Sequence, residues 1–138
     1  MNNIELFNLA TSEIVARCYE SFPGRVSFTY QELSDEVSQY YDPNEVNDKA
    51  QEIIAICRET TVWLEQAGYL WINRRTYQDS VNVTLSPKAF EALNMMPDSL
   101  SGKESIGTVL MKEAKETGKA SVLSAVRLFL SEGVKLAL

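Results

Sequence analysis

The spacing of apolar residues predicts a helix at the start of the chain. One helical face would carry the side chains that recur at intervals of three and four residues, namely Phe7, Ala10, Ile14, Cys18 and Phe22. A Pro-Gly pair follows directly at 23–24, and such a pair stops a helix. We therefore expect a helix over about residues 4–22.

Two start signals predict the next helices. Thr29 stands three residues before Glu32, the spacing of a capping box, and opens a helix of about ten residues. Pro43 gives a second start signal, because proline is favoured at the first helical position. From there an apolar stripe runs without interruption to Ala67, and Gly68 is expected to end the helix in the left-handed conformation.

After Gly68 the apolar period changes from about 3.6 residues to two. Alternation over 69–77 and again over 81–86 predicts a two-stranded hairpin with a polar tip. Val26 and Phe28 flank one polar residue, which is enough for a short strand. Further helices are predicted after Ser86-Pro87 and over 105–117 and 121–137.

This order of elements resembles a winged helix-turn-helix domain of the prokaryotic regulator type. The resemblance covers about residues 4–95 and is carried by three strings, FTYQEL at 28–33, LEQAGYL at 64–70 and LSPKAFEAL at 85–93. It implies a mainly α fold with a small β-wing, and often DNA binding, although a fold does not fix a function. We expect a winged-helix domain over 1–97 and a linker with a C-terminal helical extension over 98–138.

The chain departs from this family in the length of its central helical region. Leu33 and Gly68 are 35 residues apart, which is longer than two short helices and a turn require. Either the third helix is extended at its N-terminus or an extra turn lies near residues 40–42. In a DNA-binding member this part of the third helix would enter the major groove.

Charge decides between the function classes more sharply than the fold does. The chain has 138 residues, 13 Lys and Arg against 19 Asp and Glu, no histidine and two cysteines. A net charge of −6 disfavours general binding to nucleic acid or anionic lipid. Without histidine there is no Ser-His-Asp triad and no His-ligated zinc. The pattern also lacks a signal peptide and a membrane-spanning run, so we expect a cytoplasmic protein. Since no motif for a ligand-binding site is found either, we expect no metal and no cofactor.

The segment that would read DNA is itself acidic. Residues 45–67 contain five acidic and two basic side chains, a balance that DNA phosphates would repel. Only the wing tip has suitable chemistry, and its candidate nucleic-acid contacts are Arg74, Arg75 and Tyr77. The alternative interpretation is that these arginines are simply solvated on a hairpin.

The leading hypothesis is a non-enzymatic adaptor or regulatory protein that acts through protein–protein contacts. No nucleophile is paired with a base in the pattern, and both cysteines lie on apolar stripes, where we expect them to be buried. The runner-up is a DNA-binding regulator that contacts DNA through the wing. The predicted partner surface is acidic and consists of Glu45, Asp48, Glu52 and Glu59.

The last predicted helix has a wide apolar face that must be covered. The alternatives are packing on the first helix and a dimer seam between two copies. We favour the homodimer, because the single apolar face predicted for the first helix is already needed by the stripe over 53–64. Binding at a membrane surface is disfavoured, since acidic residues match the lysines before this face. The predicted seam is Val122, Val126, Phe129, Leu130 and Val134.

Overall fold

Seven helices and one three-stranded antiparallel sheet make up the part of the chain that the structure, a computed structural model, describes: residues 1–73, 80–97, 104–116 and 118–137. The protein is thus mainly helical, as expected. The elements in chain order are α1 (Asn3–Ser21), β1 (Val26–Thr29), α2 (Tyr30–Ser38), α3 (Pro43–Val46), α4 (Ala50–Gln66), β2 (Leu70–Asn73), β3 (Ser80–Leu85), α5 (Pro87–Leu93), α6 (Ile106–Glu116) and α7 (Lys119–Ala137).

Side-chain caps explain where two of the predicted helices begin. The Thr29 hydroxyl accepts a hydrogen bond from the backbone N–H of Glu32 at 3.0 Å, at the predicted start of α2. The Ser86 hydroxyl does the same for the N–H of Ala89 at 3.2 Å, at the start of α5. After α4, Gly68 has a φ of +84°, the left-handed conformation expected for it.

The predicted single helix from Pro43 to Ala67 is wrong, because the chain breaks between α3 and α4. Lys49 has φ −114° and ψ 3°, outside the helical region, and α4 begins one residue later. Asn47 and Asp48 precede this break, and both residue types form helices poorly because their side chains compete for backbone groups. The extended third helix is therefore wrong, and the additional turn is formed by α3 and residues 47–49, a few residues after the expected position at 40–42.

The sheet contains the predicted hairpin and one further strand. Its strand order is β1-β3-β2, so that Val83 in the central strand pairs with Val26 on one side and Ile72 on the other. The short strand expected at 26–28 therefore extends the hairpin. The hairpin tip, residues 74–79, lies outside the described residues.

Helix α1 is the central element of the fold and is buried on more than the predicted face. It contacts α2, α4, α6 and α7. Besides the predicted Ala10, Ile14 and Cys18, it buries apolar side chains on the remaining faces, which are Leu6, Leu9, Val15 and Ala16. A helix that is apolar on several faces can support two layers of neighbours.

The packing of α7 against the other helices of the chain contradicts the predicted dimer seam on the last helix. Val122, Val126 and Phe129 are fully buried within the single chain, where α7 packs on α1, α5 and α6. The seam prediction is therefore wrong for these three residues, because other helices of the same chain already cover this face of α7. Leu130 is half-buried and Val134 is exposed. The side chains of α6 and α7 join the same buried cluster as those of residues 1–97.

Helix α7 approaches the buried ring of Tyr69 so closely that only glycine fits at position 133. The Tyr69 hydroxyl donates to the Leu130 carbonyl at 3.1 Å, and a Cβ at position 133 would overlap the ring. Alanine normally favours a helix interior by about 1 kcal/mol over glycine. In Gly133→Ala we expect overpacking to outweigh that gain, with a net loss of about 1–3 kcal/mol of unfolding free energy in urea denaturation.

The matched control for this substitution is Ser131→Ala, an exposed position of the same helix. It should change the free energy of unfolding by less than about 0.5 kcal/mol. If Gly133→Ala were as stable as the wild type, α7 would have to lie farther from Tyr69 than described.

Candidate functional site

A groove lies between the first turns of α1 and the outer face of α4. It encloses about 610 Å³ and is lined mainly by apolar side chains. We call it the α1–α4 groove; its lining residues are Asn3, Ile4 and Phe7 from α1 and Glu52, Ala55, Ile56, Glu59, Thr60 and Trp63 from α4.

The apolar side chains of this groove are unusually accessible. Ile4 is 64% exposed and Trp63 is 46% exposed, and the neighbouring Val62 is 43% exposed. Trp63 is nevertheless held in place, since its ring meets the Phe7 ring edge-on at 5.3 Å and stacks on the Tyr69 ring at 6.3 Å. A cluster of exposed apolar side chains beside charged groups is typical of a protein interaction site.

Two carboxylates stand among these apolar side chains. Glu52 and Glu59 are exposed and seven residues apart, so they lie on the same face of α4. Glu52 has an ion pair with Lys49 at 3.6 Å in which both side chains are more than half exposed. Within the described residues no cation pairs with Glu59. The adjacent Arg58 lies over the Tyr30 ring at 5.6 Å.

The first turn of α1 contributes no further charge to the groove. Glu5 accepts a hydrogen bond from the Tyr41 hydroxyl and forms an ion pair with Lys119 at 2.8 Å. These two interactions hold the pKa of Glu5 below its ordinary value, while burial and the Glu5 carboxylate raise the pKa of Tyr41. The carboxylates that line the groove therefore both belong to α4.

The structure brings together only part of the predicted partner surface. Glu52 and Glu59 line the groove, whereas Glu45 and Asp48 are exposed around α3 and do not. The Glu45 carboxylate accepts from the backbone N–H of Asp42 at 3.4 Å and so helps to cap α3. The hydrophobic pattern does not identify Trp63 as a site residue, although its position outside the buried stripe of α4 indicates exposure.

The predicted wing contacts, Arg74, Arg75 and Tyr77, lie outside the described residues and stay a prediction. At the base of the hairpin, the Trp71 side chain is 56% exposed. The nearby Arg25 is held within the fold, because its Nε donates a hydrogen bond to the side-chain oxygen of Asn82 at 2.6 Å.

A second cleft, between α1 and α2, contains a buried carboxyl group. Glu13 is only 6% exposed. Burial and the nearby Glu36 carboxylate together raise its pKa to about 7, against the opposing effects of Arg17 and the Tyr40 hydroxyl. This cleft is also lined by Glu20. The Glu13 carboxyl group is therefore partly protonated near neutral pH.

Within the described residues, neither the two cysteines nor a cluster of acidic side chains indicates a catalytic or metal-binding site. Cys18 and Cys57 are buried, as predicted, and burial raises the pKa of both thiols to about 12. They are therefore protonated and unreactive at neutral pH. Across the described ranges, no group of three or more Cys, Asp or Glu residues is placed to hold a metal ion.

In the described parts of the chain, none of the helices combines the length and apolar character needed to cross a bilayer. Comparisons with protein-family models, with curated proteins and with solved structures found no match.

Proposed function

We propose that this protein is a non-enzymatic adaptor or regulatory protein of the winged-helix type that binds another protein in the α1–α4 groove. The observation that carries the proposal is the exposure of Ile4 and Trp63 beside the carboxylates of Glu52 and Glu59. Water contact with these apolar side chains is unfavourable, and a partner that covers them would gain binding free energy.

The order of the elements supports the winged-helix part of the proposal. A helix, a short strand, two helical segments and a hairpin that pairs with the short strand follow one another in the chain. In a DNA-binding member of that class, α4 would be the recognition helix.

The surface of α4 favours a protein partner over DNA. Its exposed side presents Trp63 and Val62 together with two groove carboxylates, Glu52 and Glu59. Carboxylates repel DNA phosphates, whereas exposed aromatic and aliphatic side chains are what a protein interface buries. Binding of DNA at α4, the recognition helix of a DNA-binding member, is the alternative that the following experiment separates.

Site-specific photocrosslinking in cells that express the full chain tests this function. A photoreactive amino acid replaces Ile4 in the groove or, as the matched control, Met96 outside it, because both side chains are 64% exposed. We expect discrete, nuclease-resistant adducts at position 4 that are absent at position 96. Equal adducts at both positions, or adducts that nuclease removes, would contradict the proposal, and the nuclease-sensitive result would support DNA binding.

A further inference from the structure

We propose that the occupant of the α1–α4 groove is an amphipathic helix of a partner protein that carries two cationic side chains seven residues apart. Bulky apolar side chains stand between these charges on the same face. This inference rests on the proposed function and adds the chemistry of the partner.

The spacing of the groove carboxylates sets the spacing of the partner's charges. Glu52 and Glu59 are two helical turns apart on one face of α4, a separation of about 10 Å along the axis. A second helix laid alongside α4 has the same rise per residue. Lys or Arg side chains at positions i and i+7 of that helix would therefore reach both carboxylates.

The apolar side chains of the groove determine what lies between those charges. Ala55 and Ile56 occupy the turn between the two carboxylates, and Ile4 and Phe7 form the opposite wall. Positions i+3 and i+4 of a docked helix face the same direction as i and i+7, so large apolar residues there would enter the groove. Trp63 extends the apolar surface by one more turn.

Of the two carboxylates, Glu52 has one exposed cation partner, and Glu59 has none among the described residues. The Lys49–Glu52 pair is exposed at 3.6 Å, and such pairs contribute little, so an incoming cation can replace Lys49. Arg58 lies over the Tyr30 ring. Lys119 is paired with Glu5. An anionic partner would meet the unpaired Glu59 and the weakly paired Glu52, which is why the complementary partner is cationic.

The test uses Trp63 as its reporter. Trp71→Phe removes the other of the two tryptophans in the full-length chain, so the remaining emission comes from the groove. Three synthetic helical peptides without Trp or Tyr share their apolar residues and carry Lys, Gln or Glu at both i and i+7. We expect the Lys peptide to change the Trp63 emission and to bind about tenfold tighter than the Gln peptide at low salt, the order expected of two exposed ion pairs.

Ionic strength and charge variants identify the groups involved. The preference for Lys should shrink in high salt, because exposed charges are screened. It should also disappear in the double variant Glu52→Gln, Glu59→Gln. The matched control Glu91→Gln removes an exposed carboxylate from α5 outside the groove and should retain the preference for the Lys peptide.

Three outcomes would overturn the inference. They are equal affinity for all three peptides, a Lys preference that survives the double substitution, and a change in Trp63 emission with protein concentration alone, which would make a second copy the occupant. If photocrosslinking at position 4 still captures a protein, the first two results reject only the partner's charge and leave the adaptor function standing. Failure of both experiments would reject the function itself.

Discussion

Phe129→Ala should lower the free energy of unfolding by about 3–5 kcal/mol, the usual cost of removing a fully buried aromatic side chain. Phe129 has no exposed surface within the single chain, and its ring lies 5.1 Å from that of Tyr69. Truncation leaves a cavity between α7 and the rest of the core. Urea unfolding followed by far-UV circular dichroism measures the loss.

The control for this prediction is Val134→Ala on the same helix. Val134 is 56% exposed, so its truncation should change stability by less than about 0.5 kcal/mol. Unfolding of both variants should be independent of protein concentration. A Phe129→Ala protein that keeps its stability but dissociates from a dimer would restore the seam that the sequence suggested.

Glu13→Gln should remove a pH dependence from the stability of the protein. The pKa of Glu13 is raised from 4.5 to about 7 in the folded state, so the folded protein holds a proton that the unfolded chain releases. Its contribution to stability is fully present below about pH 4.5 and is lost as the pH rises through about 7. At pH 8 the buried, ionised carboxylate therefore lowers the free energy of unfolding of the wild type by about 3 kcal/mol.

Urea unfolding at pH 5 and pH 8 checks this prediction. The glutamine variant should be more stable than the wild type by about 3 kcal/mol at pH 8 and by less than about 1 kcal/mol at pH 5. The control Glu20→Gln changes an exposed carboxyl group in the same cleft and should leave the wild-type profile in place. A glutamine variant with the same profile as the wild type would show that Glu13 is ionised throughout this range.

The helix boundaries could be predicted because their causes are local. The N-caps at Thr29 and Ser86 and the left-handed Gly68 each depend on a few neighbouring residues. The hairpin followed from the change of period at Gly68. The break at Lys49 was missed because the apolar stripe continues across it and outweighed the poor helix formers Asn47 and Asp48.

The candidate site was only partly predictable because it depends on tertiary contact. Glu52 and Glu59 were recognised as an acidic surface, but the groove forms only where the first turn of α1 meets α4. Ile4 and Trp63 are far apart in the chain, and no local pattern places them together. Glu13 was missed for the same reason, since its burial is caused by packing of α1 on other helices and not by its neighbours in sequence.

Tolerance to substitution should be distributed unevenly along the chain, as a consequence of the central position of α1. Most elements have a solvent side on which a residue can change without disturbing a neighbour. The middle of α1 has almost none, because nine consecutive residues, 8–16, are buried. A change of side-chain size there disturbs both layers that pack on the helix. Adaptation of this protein to new partners is therefore expected to proceed through α4, the first turns of α1 that line the groove and the surface loops, while residues 8–16 stay nearly invariant.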